Sequence, residues 1–146
     1  MKGTILAAIV VALALAGCAS FDPRNPKVFV VTNDAPDCKD RRPAVVVDQE
    51  PIYFFLRPGG PPFPITWHLQ TSGYSFAPQL TALADPTPVD TKSKPGEIGK
   101  CQAKGQNMEC INKNESRGYW KYTLKIQADD KNCPSPEDLD PIIGNS

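Results

Sequence analysis

Proline does most to limit what this chain can become. Its 16 prolines are scattered along 146 residues. Each fixes φ and removes a backbone donor, which disfavours long helices and suits short strands joined by turns. The apolar pattern agrees. Gly118 to Ala128 (GYWKYTLKIQA) places Trp120, Tyr122, Leu124 and Ile126 on one face, and Tyr119, Lys121, Thr123 and Lys125 on the other. Period-two alternation of this length predicts one long antiparallel strand. Ile65, Trp67 and Leu69 alternate in the same way with Thr66, His68 and Gln70, which puts His68 on the wetter face. Lys27–Thr32, Ala44–Asp48 and Ile52–Leu56 are short apolar runs bounded by turn residues, and read as buried strands. Tyr74–Leu80 and Asn107–Ile111 add two more. Asn112–Arg117 (NKNESR) reads as a hairpin turn, and Arg57–Pro64 (RPGGPPFP) as a rigid one. Ala82–Lys100 reads as a long surface loop. With no internal repeat and no helical period, the fold class is all-β: a small antiparallel β-sandwich over 27–146.

The N-terminus has a different grammar. Lys2 is followed by a continuous apolar run, Ile5–Ala16, and then by Leu15, Ala16, Gly17 and Cys18 in the closing positions. Charge, a run too short to span a bilayer, and small residues at its end are the layout of an export signal. The quartet LAGC resembles the lipobox of bacterial lipoproteins. That resemblance implies cleavage after Gly17, so residues 1–17 are a signal peptide. It also implies a lipid on the Cys18 thiol and acylation of the freed amine. Two or three acyl chains anchor firmly where one does not, since each buried methylene contributes ~0.8 kcal/mol. Residue 19 is Ala and not the Asp that marks inner-membrane retention in Gram-negative lipoproteins. The expected address is therefore the outer membrane, facing the periplasm. Residues 18–26, polar and Pro-containing, are expected to be a short tether.

Charge and cysteine content narrow the partners. One of the 16 basic residues, Lys2, falls in the leader, which leaves 15 against 16 acidic. A near-neutral domain argues against nucleic acid and against a polybasic membrane patch. With Cys18 taken by lipid, Cys38, Cys101, Cys110 and Cys133 remain, an even number in an exported domain. No CxxC is present, so two disulfides are expected and no zinc site. Four cysteines allow three pairings.

From Ile65 onward the chain resembles a group of functionally uncharacterised exported bacterial proteins with a cupredoxin-like or immunoglobulin-like β-sandwich. The echoes are ITWHLQTSGYSF (65–76), the Cys101 and Cys110 pair, GYWKYTLKI (118–126) and LDPIIGN (139–145). The resemblance implies seven or eight strands and a Cys101–Cys110 disulfide, and it carries no catalytic residue. The nearness of 101 and 110 across a local hairpin selects the same pair, which leaves Cys38 with Cys133.

Chemistry is sparse. A triad would have to use the single histidine, His68, and nothing places a nucleophile beside it. A blue-copper site needs two histidines and a thiolate; the mature chain offers His68 and Met108, with Cys110 in a disulfide. Asp129–Asp130 and the Glu137–Asp138–Asp140 cluster read as solvated turn charges, and Asn114-Glu115-Ser116 as a polar turn. Tyr119 is a candidate surface contact. The expected function is a non-catalytic cell-envelope lipoprotein, a binding or structural module held to the membrane at Cys18, without cofactor or metal and with an envelope protein as partner. The alternatives are a periplasmic inhibitor of a hydrolase, for which the rigid turn 57–64 is suited, and an electron-transfer protein.

Overall fold

Alternation sets the layers. The computed structural model describes residues 21–77 and 87–146. In it strand β4 (Phe63–Leu69) buries Ile65, Trp67 and Leu69 and turns Thr66 and His68 outward. It is the middle strand of a five-stranded sheet. On one side lie β1 (Lys27–Val31) and the edge strand β2 (Ala44–Val47). On the other lie β8 (Asn107–Asn112) and β7 (Ile98–Lys104). The remaining strands form two smaller sheets. One runs β3 (Ile52–Phe54), β11 (Ile142–Asn145), β9 (Gly118–Lys121), β6 (Thr87–Pro88). The other pairs β10 (Ile126–Ala128) with β5 (Tyr74–Phe76).

The expected all-β sandwich is therefore present, and its sheets are mixed. β1 runs parallel to β4, and β3 parallel to β11; the other pairings are antiparallel. Alternation dictates which face of a strand is buried and says nothing about the direction of its neighbour. One apolar cluster joins the sheets, centred on Trp67, Trp120, Ile65, Met108, Leu124 and Ile143. A polar contact threads it: the Trp67 indole Nε1 donates to the Tyr122 hydroxyl at 3.0 Å, with the two rings 4.8 Å apart. Burial raises the Tyr122 phenol well above its ordinary value.

Several expectations change in detail. The 118–128 segment keeps its alternation throughout but is not one strand. It leaves β11 after Lys121 and joins β5 from Ile126. Between them Tyr122 N donates to Pro141 O and Leu124 N to Leu139 O. Asn112–Arg117 is not a hairpin turn, because β8 and β9 belong to different sheets. The partner of β8 is β7, through a tight turn at Gly105 with φ +58°, a conformation that favours glycine. The expected loop 82–100 is only partly a loop. Residues 82–86 lie outside the described residues, whereas β6 and the start of β7 are strands, and Ser93, Glu97 and Ile98 are buried. Residues 22–26, expected as tether, run along β4: Thr66 N donates to Arg24 O at 2.7 Å and His68 N to Pro26 O at 3.0 Å, and Pro26 is buried.

The cysteines pair as the hairpin argument selected. Cys101 in β7 joins Cys110 in β8, Cα to Cα 4.1 Å. The ladder between these strands is irregular from Gly99 to Gln102, with Lys100 at φ +53°, so a bulge inserts one residue opposite Cys110. Cys38, in a single 3₁₀ turn (Cys38–Asp40), joins Cys133, Cα to Cα 5.1 Å.

Candidate functional site

Strand β3 has an apolar residue too many for one face. Ile52 and Phe54 point into the core, so Tyr53 and Phe55, of opposite parity, must point out. Phe55 is 86% exposed and Tyr53 53%. Tyr53 stands across Gly144 of β11 from Tyr119 of β9. The two rings meet edge to face at 6.4 Å, in the space a side chain at 144 would fill. Three aromatic rings thus lie on the outer face of this sheet.

Beside Phe55 is a groove of about 480 Å³, walled by the chain entering at Pro23–Arg24 and by the 57–64 turn. That turn is closed by Gly60 N donating to Arg57 O at 3.0 Å and stiffened by its prolines. Arg24 lies 4.5 Å over the Phe63 ring, which packs on Phe54 at 5.0 Å. The stack from guanidinium to core fixes that wall. Two arginines, Arg24 and Arg57, are among the residues that line the groove, and no acidic residue is. The ion pairs found among the described residues involve neither: they are Lys121–Asp140 and Lys125–Asp138.

The groove is braced by Asn114. This residue is buried at φ +54°; its Nδ2 donates to Phe55 O at 2.8 Å, and its buried Oδ1 has no hydrogen-bond partner among the described residues. Behind it is a polar box. Asn112 and Asn145 exchange amide hydrogen bonds at 2.9 and 3.2 Å. The buried Glu97 carboxylate accepts from the backbone N–H groups of Glu115 and Ser116 and from the Ser116 hydroxyl. Ser93 Oγ accepts from Tyr119 N, and the Trp120 indole donates to Lys94 O. The Asn114–Ser116 tripeptide lies in the connection from β8 to β9, and its Asn amide nitrogen is engaged by Phe55 O.

The other residues picked out in the sequence fall as follows. Cys18 lies outside the described residues. His68 sits on the outer face with Nδ1 2.8 Å from Asn107 Oδ1 and Nε2 3.3 Å from Asn25 Oδ1. Met108 and Cys110 point to the opposite, buried face of the same sheet, so the structure does not bring histidine, methionine and cysteine together. Asp140 is held by Lys121 at 2.8 Å and by the Thr123 hydroxyl at 2.7 Å, and both lower its pKa. Asp138 pairs with Lys125 at 3.6 Å. Two of the three acids of that cluster are thus ion-paired with lysines of the 118–128 segment. Ligand atoms of Cys38, Asp130 and Cys133 lie within 4.8 Å of one another, but the two sulfurs are bonded to each other and offer no thiolate.

Sequence reading missed Arg24, Phe55 and Asn114. The parity of Ile52–Leu56 was a usable signal for Phe55. The other two come together with it only through the fold. No protein-family model matches the chain, and no curated protein is significantly similar to it.

Proposed function

We propose that the chain is a non-catalytic cell-envelope lipoprotein, anchored through Cys18 to the outer membrane and facing the periplasm, whose domain is a binding module. The anchor is supported by Lys2, the Ile5–Ala16 run and the LAGC quartet. The binding role is carried by one observation: Tyr53 and Tyr119 stand exposed and edge to face on the outer face of their sheet, with no partner covering them among the described residues. Aromatic rings and arginine are the residues that contribute most when a partner covers them. The non-catalytic role is supported by His68, whose ring nitrogens are both taken up by asparagine side chains, Asn107 and Asn25.

Inhibition of a hydrolase is a second reading, favoured by the turn 57–64. It is exposed, closed by its own hydrogen bond and proline-stiffened, and a rigid segment enters a cleft at low entropic cost. In-cell photo-crosslinking tests both. A photoreactive residue at Tyr119 should give a discrete protein adduct, one at Pro61 should give one only if the second reading holds, and one at Gln106, in the turn after Gly105, should not. A hydrolase captured from position 61 selects the second reading. No adduct from either site, or the same adducts from Gln106, overturns the binding role.

A further inference from the structure

We infer that the groove between Arg24 and Arg57, with Phe55 at its rim, is the face on which the domain rests against phospholipid headgroups of its own membrane. This rests on the Cys18 anchor proposed above.

Chain length comes first. Pro23, a groove wall, is the fifth residue after Cys18. An extended chain advances at most ~3.3–3.6 Å per residue, so Pro23 lies within roughly 18 Å of the lipid-bearing residue. From Arg24 the chain is fastened to β4 through Arg24 O and Pro26 O. A lipid at Cys18 therefore holds this end of the sandwich next to the bilayer. The turn after Gly105 lies at the other end of β4, where Leu69 N donates to Gln106 O.

Charge and shape agree. Guanidinium groups bind phosphate oxygens through paired N–H donors, and the groove is lined by two arginines and by no acidic residue. The nearest acid on the entering chain, Asp22, is already engaged by Arg24 N at 3.0 Å and Asn25 Nδ2 at 2.6 Å. Those two bonds, and to a smaller extent the Arg24 charge, lower its pKa. Phe21 and Phe55 are 67% and 86% exposed on the segments that border this end, and aromatic rings are favoured at the boundary between headgroups and acyl chains. The domain as a whole is near neutral, so the attraction is local to this groove.

The test uses the full lipidated chain, extracted from membranes and reconstituted in vesicles of phosphatidylethanolamine and phosphatidylglycerol brominated near the top of the acyl chains. Intact mass first establishes whether Cys18 is acylated. Trp67 and Trp120 are buried in the core, so the Phe55→Trp variant adds an exposed reporter, and Gln106→Trp is its control at the far end. Expected is loss of emission from the Phe55→Trp reporter, little loss from Gln106→Trp, and recovery of emission when Arg24→Gln and Arg57→Gln are added to Phe55→Trp. An acylated chain in which both reporters are quenched alike, or Phe55→Trp is not quenched, overturns this docking face and leaves the anchor standing. A chain without lipid on Cys18 overturns the anchor and the inference with it.

Discussion

Cutting the Cys38–Cys133 bridge tests how the fold is held. The two half-cystines are only partly buried, one in a surface 3₁₀ turn and one in the loop after β10, so a Cys38→Ser/Cys133→Ser variant removes little packing. What it removes is a restraint on the unfolded chain between residues 95 apart. With that loop length the chain-entropy relation gives about 4.7 kcal/mol at 25 °C. The bridge of separation 9 between Cys101 and Cys110 gives about 2.6 kcal/mol on the same relation. Small domains are stable by only about 5–15 kcal/mol, so the long bridge carries a large share. Equilibrium urea unfolding of the oxidised protein and the variant measures the difference. Expected is a loss of about 4–5 kcal/mol with a steeper denaturant dependence, because the released chain expands further when unfolded. A loss under about 1 kcal/mol with an unchanged slope would refute the entropic account of this bridge.

Tyr122→Phe should cost about 1–3 kcal/mol, because it leaves the buried Trp67 Nε1 donor unpaired. Thermal and denaturant unfolding measure it. Burial raises the Tyr122 phenol above its ordinary 10.0, so its contribution is full below pH 10.0 and is lost as pH climbs past it. Stability of the native protein should therefore fall more steeply above pH 10.0 than that of Tyr122→Phe. Gly118→Ala should cost about 1–3 kcal/mol. Gly118 sits at φ +153°, and a Cβ there would lie 2.8 Å from Ser93 Cα and Cβ. A double-mutant cycle with Ser93→Gly should recover part of that loss, and strict additivity would count against the contact.

The sequence made the core legible and left the site hidden. Alternation in 65–69 and 118–128 named the buried residues correctly, Trp67, Trp120, Tyr122, Leu124 and Ile126 among them. That signal needs only the faces of a strand. It could not show that the second segment changes partners after Lys121, since the switch alters hydrogen bonding and leaves side-chain parity intact. β7 was hidden by its composition, IGKCQAK, and by the bulge at Lys100 that breaks its period. The 87–97 segment looked solvated because it is rich in proline, threonine and lysine, yet Glu97 is buried with hydrogen bonds from the connection preceding β9, and Ser93 with one from Tyr119 of β9 itself. The groove draws on residues 23–24, on 53–55 with 57, on 60–63 and on 114. No local pattern links four such separated stretches.

Intact-mass and peptide mass spectrometry of the protein purified from the cells that make it is the most direct test of the proposed anchor. The expected mature chain begins at Cys18, with a thioether-linked diacylglycerol and an acylated amine, and a Cys18→Ser variant retains residues 1–17 and incorporates no palmitate. A wild-type chain that begins at another residue, or carries an unmodified Cys18, would contradict the lipoprotein assignment.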